Sequence, residues 1–370
     1  METRLIVDSS ARMANRSPTV RIGLVIPLQG PAGIFGPSSE ACAQLAAEEL
    51  NLGGGVLGRE VELVTVDGGQ TPNRVADEVD ALVSAGAIDA VVGWHLSSVR
   101  QALIPRIAGR VPYVYTALYE GGERAPGVFL AGETPIHQVL PAMQWLAREH
   151  RLRRWAIVGD SYIWPYGTAR AARRHLRLTG AEICAEIFVP LGTRDFHRPI
   201  QQLIRTQPDA VLMLLVGNDA VRFNRAFTRA GLHTTCLRFA PLMDENMLLA
   251  SGADTTANLY VAAGYFATLP TTDNLDFHAL YTRRFGPHAP PLNAEGESCY
   301  EGIILLAELI ARAGTLNPTD LMRVADTTGY DGPRGPVRLH DRHLHQRIYL
   351  AKANQLEFDV ITKLQEPPPT

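Results

Sequence analysis

No stretch of the sequence approaches the ~20 consecutive apolar residues that a membrane-spanning helix needs. The first residues, METRLIVDSSARMANRSPTV, also lack the apolar core and the small-residue cleavage site of a secretory signal. We therefore expect a cytoplasmic protein without a membrane span. Residues 1–19 and 362–370 are predicted to be terminal tails, the first of them flexible.

Cysteine is scarce: the 370 residues contain four, Cys42, Cys184, Cys236 and Cys299. Their scattered spacing matches neither a disulfide framework nor a zinc site, so we expect reduced, buried thiols. The net charge of −3 lacks the positive excess that nucleic-acid binding needs, and we expect no direct contact with nucleic acid. No metal or other cofactor is predicted.

Motifs of catalysis and nucleotide binding are missing as well. The glycines after the first predicted strand are spaced G-x-x-G-x-x-G, which differs from the dinucleotide-binding G-x-G-x-x-G. The sequence contains no P-loop, no HExxH and no G-x-S-x-G. A hydrolytic enzyme is a distant alternative, for which Asp160 and Ser161 beside Tyr162 are the only suggestive chemistry. We predict that no residue is catalytic.

What the sequence does contain is an alternation of short apolar strands and helices. Strand, helix and strand follow one another from residue 20 to about 115, and the same rhythm restarts after about 135. Repeated βαβ units predict a parallel, doubly wound sheet with helices on both faces, and the restart predicts a second sheet of this kind. The predicted strands are 20–27, 61–66, 90–93, 113–115, 155–159, 183–189, 210–215, 237–240, 336–340 and 346–352.

Five segments, taken in order and at their spacings, resemble the type I periplasmic binding proteins of the leucine/isoleucine/valine-binding kind. They are similar in particular to an amide-sensing branch, the regulators of aliphatic amidase and nitrile hydratase expression. The segments are Leu50–Arg59, Val92–Arg100, Tyr115–Gly121, Gly159–Pro165 and Pro333–Arg338.

The resemblance implies an α/β fold of two doubly wound parallel-sheet lobes joined by three crossover hinge segments. The N-terminal lobe is then expected at 20–131 plus 267–332, and the C-terminal lobe at 135–262 plus 337–361. The crossovers are expected near Leu130–Thr134, Ala262–Thr268 and Tyr330–Val337.

The resemblance also implies a function. The missing export signal favours a cytoplasmic regulator that binds a short-chain amide between its lobes. Through an RNA-binding antiterminator as partner, it would control the expression of amidase or nitrile hydratase genes. The alternative is the substrate-binding receptor of an ABC transporter for amides, urea or branched-chain amino acids. A homodimer is a further predicted assembly.

Ligand contacts in such lobes come from the carboxyl ends of the strands. From the first lobe we predict Ser97, which otherwise serves only to cap a helix, and Tyr115, which is otherwise a core residue. The family has a threonine two residues after this tyrosine; here Ala117 stands in that place and Thr116 comes one residue earlier. Either Thr116 or backbone groups near Ala117 take over that contact. This departure leaves the chemical identity of the ligand undecided.

From the second lobe, Tyr162 and Trp164 follow a predicted strand and could close over a ligand. Further candidates are His95, Leu242, Met243 and Tyr265, for which core packing is the competing interpretation. An amino-acid ligand would need a carboxylate for its ammonium group, and Asp244 or Glu245 could provide it. Their alternative role is to stabilise the start of a helix.

Overall fold

The computed structural model describes residues 18–365, so residues 1–17 and 366–370 of the two predicted tails lie outside the described residues. Residues 18–365 form two α/β lobes, each built on one sheet of mainly parallel strands. The predicted fold class is therefore confirmed. In the described range the four cysteines are unpaired, and three of them are buried.

The first lobe contains an eight-stranded sheet with helices on both faces. Its strand order is β11-β12-β13-β5-β4-β3-β1-β2. The strands are β1 (Thr19–Ile26), β2 (Glu60–Asp67), β3 (Ala90–Gly93), β4 (Tyr113–Tyr115), β5 (Val128–Leu130), β11 (Gly329–Gly332), β12 (Gly335–His340) and β13 (His343–His345). The helices are α1 (Gly36–Leu52), α2 (Pro72–Ser84), α3 (Ser97–Ile107), α9 (Thr272–Phe285), α10 (Ala294–Ala313) and α11 (Pro318–Val324), with short 3₁₀ turns at Pro31–Phe35, Gly286–His288 and Ala325–Thr327.

The second lobe contains a seven-stranded sheet in the order β15-β14-β10-β9-β8-β6-β7. The strands are β6 (Arg154–Asp160), β7 (Glu182–Val189), β8 (Ala210–Leu214), β9 (Leu237–Phe239), β10 (Leu259–Ala263), β14 (Tyr349–Asn354) and β15 (Glu357–Lys363). The helices are α4 (Val139–His150), α5 (Ile163–Thr179), α6 (His197–Thr206), α7 (Asn218–Arg229) and α8 (Glu245–Ser251), with 3₁₀ turns at Leu232–Thr234 and Ala253–Thr255.

The central strands of both sheets are apolar throughout, as the sequence pattern indicates. Every residue of β3 and of β8 is buried, because helices cover both faces of a parallel sheet. Strands β1, β3, β4 and β5 pair in parallel in the first lobe, as do β6, β8 and β9 in the second. Their carboxyl ends therefore lie at one edge of each sheet, where the lobes meet.

The chain passes between the lobes three times, and the third passage differs from the expected one. Strand β12 pairs with β11, and β13 pairs with β12 and with Leu130 of β5, so residues up to His345 belong to the first sheet. The structure therefore corrects the expected crossing at Tyr330–Val337 to 346–348. The predicted second-lobe segment 337–361 begins only at β14. The two strands of the predicted hairpin belong to different sheets: β12 pairs with β11 and β13, whereas β14 pairs with β10 and β15.

A buried arginine joins the three passages. Arg334, in the turn between β11 and β12, is 2% exposed, and its guanidinium binds Glu297 and lies 2.9 Å from the Glu301 carboxylate. It also donates to Gln346, directly after β13, over 2.5 Å. Glu133 lies 3.8 Å from Arg334 and accepts the N–H of Gly264 over 2.8 Å. Residues from all three passages thus meet around one guanidinium.

Replacement of Arg334 with Gln should therefore destabilise the protein strongly. Burial already raises the pKa of Glu297 and of Glu301, and loss of the guanidinium leaves both carboxyls without a counter-ion. We expect a loss of about 3 kcal/mol or more in the free energy of unfolding, measured by urea denaturation at pH 8. The loss should shrink at pH 5, where the carboxyls take up protons.

The matched control is Arg338→Gln, which removes an exposed arginine from the strand that follows Arg334, β12. It should change the free energy of unfolding by less than about 0.5 kcal/mol. A similar small effect for Arg334→Gln, at either pH, would contradict the role given to this arginine.

Candidate functional site

The carboxyl ends of β3 and β4 face those of β6 and β9 across the cleft between the lobes. Ser97 follows β3 and is the first residue of α3, whose cap residue is Leu96, so the predicted capping role falls to another residue. Its side chain is 2% exposed, and its hydroxyl lies beside that of Tyr115. A buried hydroxyl at a helix start, next to a tyrosine hydroxyl, is suited to contact a polar ligand.

Tyr115 and His95 form a buried aromatic pair beside Ser97. The Tyr115 hydroxyl donates to the carbonyl oxygen of His95 over 2.8 Å, and the Arg100 guanidinium lies 5.2 Å from the centre of the Tyr115 ring. The His95 ring bonds to the Tyr113 hydroxyl at 2.9 Å, and burial lowers the pKa of His95 to about 3. This imidazole is therefore neutral and held within the lobe, which suits a supporting role.

Thr116 and Ala117 occupy different surroundings. The Thr116 hydroxyl accepts a hydrogen bond from Ser298 of α10 over 3.2 Å, so it faces α10. Ala117 is buried, and its carbonyl oxygen would lie 2.0 Å from a Cβ atom on Gly132.

The second lobe provides two aromatic side chains at the start of α5. Tyr162 is half-buried and precedes the helix, and the Trp164 ring is 2% exposed with its centre 6.3 Å from that of Tyr162. Burial and nearby Asp160 raise the pKa of Tyr162, with smaller contributions from Tyr115 and Glu120 of the first lobe. Tyr162 therefore lies close to Tyr115 across the cleft.

A small cavity of about 20 Å³ lies at the end of the cleft near the crossings. Thr116 and Met243, from opposite lobes, both line it, whereas Leu242 is buried beside Met243. Tyr265 follows β10 and is buried; its ring packs edge-on against Phe277, and its hydroxyl has no partner among residues 18–365.

Sequence reasoning missed five polar residues that line this cavity: Glu133, Gln138, Glu295, Ser298 and Arg334. Gln138 donates to the carbonyl oxygens of Pro241 and Ala262, over 2.9 and 2.7 Å, and so ties the first crossing to the second lobe. The signal that could have revealed Glu295 and Ser298 is the group of polar residues in Asn293–Ser298, at the start of the otherwise apolar helix α10.

Asp244 and Glu245 begin helix α8, as their alternative role requires. The Asp244 carboxylate accepts the N–H of Met247 over 2.7 Å and the side-chain amide of Asn293, from the first lobe, over 2.6 Å. Glu245 accepts the N–H of Ala267 over 2.9 Å. Both carboxylates are thus occupied within the protein, and the Asn293 bond joins the lobes at the starts of α8 and α10.

Two glycines of the second lobe are in close contact with the first. A Cβ atom on Gly167 of α5 would lie 2.5 Å from Cβ of Glu120, and one on Gly217 would lie 2.1 Å from the carbonyl oxygen of Pro31. No real Cβ atom tolerates such distances, and the φ of +47° at Gly217 also favours glycine. The lobes therefore approach each other closely only because these positions lack side chains.

Asp160 and Ser161, the residues that suggested hydrolysis, lie in different surroundings. Asp160 is buried and accepts the N–H of Val216 over 2.8 Å, while Ser161 is exposed. Among residues 18–365, no group of three or more His, Cys, Asp or Glu side chains is placed to hold a metal ion. None of the helices in this range has the length and apolar character to cross a bilayer.

The fold and cleft together define a class: a two-lobed α/β protein of the type I periplasmic binding protein fold. A family model described as periplasmic binding protein matches residues 19–357, and the chain belongs to this family.

Two curated relatives are similar along nearly their whole length. A Leu/Ile/Val-binding protein homolog 6 of Brucella melitensis biotype 1 is 24% identical over 359 residues, 94% of this chain and 91% of its own. The leucine-, isoleucine-, valine-, threonine- and alanine-binding protein of Pseudomonas aeruginosa is 22% identical over 91% of this chain and 90% of its own.

Solved structures agree on the fold. A solute-binding protein of an ABC transporter from R. palustris, in complex with 4-hydroxybenzoate, has a TM-score of 0.84 at 20% identity, over 95% of this chain and 98% of its own. The branched-chain amino acid transporter substrate-binding protein from Streptococcus pneumoniae, in complex with isoleucine, has a TM-score of 0.82 at 19% identity. The match covers 94% of this chain and 100% of that protein's chain.

These comparisons correct the predicted location. The expectation of a cytoplasmic protein is wrong, because the matching family is that of the periplasmic binding proteins and similar structures are binding proteins of ABC transporters. The leucine/isoleucine/valine-binding resemblance is confirmed, whereas the amide-sensing branch has no support among these relatives.

Glu245 provides a pH-dependent test of this site. Burial raises its pKa from 4.5 to about 8, so the folded protein binds a proton that the unfolded chain releases above pH 4.5. Its stabilising contribution is complete below pH 4.5 and is lost as the pH rises to 8. Glu245→Gln should therefore raise the melting temperature by a few degrees at pH 8.5, and by less than a degree at pH 4.5.

The mutation keeps an oxygen that can accept the Ala267 N–H, so its effect reports on charge. Thermal unfolding from pH 4.5 to 8.5, followed by circular dichroism, measures it, with exposed Glu357→Gln as the control. A melting-temperature difference that does not grow with pH would show that Glu245 is not held protonated by burial.

Proposed function

We propose that this chain is the solute-binding receptor of an ABC importer, which captures one small polar molecule between its lobes. The observation that carries the proposal is the pairing of two strand-end surfaces across a closed cleft, where the buried hydroxyls of Ser97 and Tyr115 lie side by side in the first lobe. Family membership supports it, since relatives are named as binding proteins of ABC transporters.

Under this proposal, the first lobe binds the polar part of the solute. Ser97 can both donate and accept, and the first backbone N–H groups of α3 lack partners within the helix. Tyr115 and backbone groups at Thr116 and Ala117 would shape the floor. Tyr162 and Trp164 of the second lobe would then close over the solute and exclude water.

Regulation through an antiterminator was the main prediction from sequence, and the relatives support the transport alternative better. The candidate solutes of that alternative are amides, urea and branched-chain amino acids. Similar proteins in complex with isoleucine and 4-hydroxybenzoate add amino acids and aromatic acids to the compounds worth testing.

Ser97→Ala tests the binding role of the first lobe. The solute is first selected from isoleucine, butyramide, urea and 4-hydroxybenzoate as the compound that most raises the melting temperature. Calorimetry should then show roughly tenfold weaker binding in Ser97→Ala, because one polar contact is lost. Ser84→Ala, an exposed serine on α2, is the control. Unchanged affinity in Ser97→Ala would contradict the assigned contact.

Gly167→Leu tests closure separately from solute contact. A leucine side chain must collide with Glu120 when the lobes are closed, so we expect binding to weaken at least tenfold. The solute-induced decrease in the radius of gyration, measured by small-angle X-ray scattering, should disappear.

Arg170→Leu places the same side chain on exposed surface of the same helix and should bind and close like the wild type. If Gly167→Leu still closes around the solute, the two lobes do not approach each other at this glycine in the bound state.

A further inference from the structure

A groove of about 470 Å³ lies between helices α6 and α7 of the second lobe. It shares no lining residue with the cavity at the crossings. Four arginines line it, Arg194, Arg222, Arg225 and Arg229, and Asp195 is the one acidic residue among its described lining. We call it the arginine groove, and its excess of positive charge is what needs a reason.

The stability of α7 does not account for its three arginines. Residues 222, 225 and 229 are spaced by three and four positions, so they share one face of the helix, and like charges at this spacing destabilise a helix. Arg229 lies in the last turn, where the helix dipole favours a cation. Arg222 and Arg225 lie before that turn and have no such benefit.

Two of the arginines are held in place by the protein. The Arg222 guanidinium lies 3.2 Å from the Asp219 carboxylate. Arg225 donates to the carbonyl oxygen of Ser251, over 3.2 Å, and to that of Ala250, both at the end of α8. Carbonyl oxygens orient this guanidinium, but they do not neutralise its charge.

The other two arginines have no partner at all in the described part of the chain. Neither Arg194 nor Arg229 forms an ion pair or a side-chain hydrogen bond there. Asp195 does not neutralise them, because its carboxylate accepts the N–H of His197 over 2.8 Å. Three of the four guanidinium groups therefore lack a carboxylate, and an anion from outside the chain can supply the missing charge.

The start of α6 adds to the positive potential of the groove. Phe196 and His197, its cap and its first residue, both line the groove. The cap side chain accepts no hydrogen bond from the helix, and the dipole of this ten-residue helix places partial positive charge at its start. Buried Phe196, whose ring packs edge-on against Phe223 of α7 at 5.6 Å, fixes this start beside α7.

We propose that the arginine groove is a second binding site, which takes a small soluble anion that carries a diphosphate group. The planar guanidinium binds two phosphate oxygens at once. Arg225 and Arg229 are one helical turn apart, about 6 Å along the axis, so each can bind one of two linked phosphate groups. Arg194 binds the same anion from the α6 side. The inference goes beyond the proposed function and does not depend on it.

The size of the groove favours this class over a single phosphate ion. A volume of about 470 Å³ is in the range of small-molecule sites. The apolar side chains of Ile200 and Ala226 line the same groove and can contact the part of the molecule that carries no charge.

Calorimetry on the full chain, without any solute for the cleft, tests the site with pyrophosphate as the probe. Wild-type protein should bind pyrophosphate about tenfold more tightly than inorganic phosphate, because two linked groups engage more guanidinium groups. The double variant Arg194→Gln with Arg229→Gln should bind pyrophosphate about tenfold more weakly or worse. It should keep the wild-type melting temperature, since neither side chain has a partner in the described chain.

The matched control is the double variant Arg170→Gln with Arg205→Gln. It removes the same charge from exposed positions outside the groove, on α5 and at the end of α6, and should bind pyrophosphate like the wild type. An equal loss of binding in the control would show that net charge, and not this groove, attracts the anion. Equal binding by the wild type and Arg194→Gln with Arg229→Gln would overturn the proposal as well.

Two further measurements locate the site and separate a soluble anion from a lipid headgroup. Pyrophosphate should protect Arg194 and Arg229 from modification by phenylglyoxal, read by mass spectrometry, and leave Arg205 reactive. At about 150 mM salt, the protein should sediment no more with phosphatidylglycerol vesicles than with phosphatidylcholine vesicles. Sedimentation with phosphatidylglycerol and no binding of pyrophosphate would overturn the soluble-anion proposal in favour of a membrane surface.

The proposed function stands or falls by other results. Solute binding in the cleft is measured with Ser97→Ala and Gly167→Leu, and neither residue lines the arginine groove. A protein that closes around its solute but binds no pyrophosphate would overturn this inference and leave the receptor function in place.

Discussion

The two-lobed structure depends on one buried guanidinium. Arg334 is surrounded by carboxyls from α10 and from the first crossing, and it donates to Gln346 at the third crossing. Glu133 extends this network to the second crossing, where its carboxylate accepts the backbone N–H of Gly264. A buried ion pair adds little net stability to the folded state, but removal of one partner strongly destabilises the protein. The arrangement therefore specifies where the three passages lie relative to one another more than it adds stability.

With the crossings held together, the distant parts of the lobes are free to approach through small residues. Gly167 meets Glu120, and Gly217 meets the backbone of Pro31. The Pro31 turn belongs to the glycine-rich segment after β1, whose spacing excluded a dinucleotide site. Its position against the second lobe gives that segment a structural reason: it is a contact between lobes, where side chains would prevent close approach.

Much of the fold could be predicted because local signals and tertiary structure agree. Apolar runs such as 90–93 and 210–215 are buried strands, since βαβ units leave few alternatives. The third crossing could not be predicted in this way. Alternation at 336–340 indicates a hairpin strand equally well in either lobe, and only pairing with β5, through His343 and Leu130, decides which. Strands of three residues, such as β5, are too short for a periodic signal.

The candidate site was predictable where it follows strand ends and was missed where it depends on a helix start. Ser97, Tyr115 and Tyr162 come directly after strands or at their last residue. Glu295 lies in the first turn of a long apolar helix, where an acidic residue is ordinary because the helix dipole favours it. Its contact with Asp244 of the other lobe becomes visible only in the folded structure.

Two buried carboxyls also join the lobes in the closed form. Asp244 of one lobe lies against Glu295 of the other, where burial and the Asp244 charge raise the pKa of Glu295 and the two side chains share a hydrogen bond. A solute shifts the population of closed protein only through its differential affinity for that state. On the proposed function, the solute gains this differential affinity from contacts that the two lobes make with it together only in the closed form.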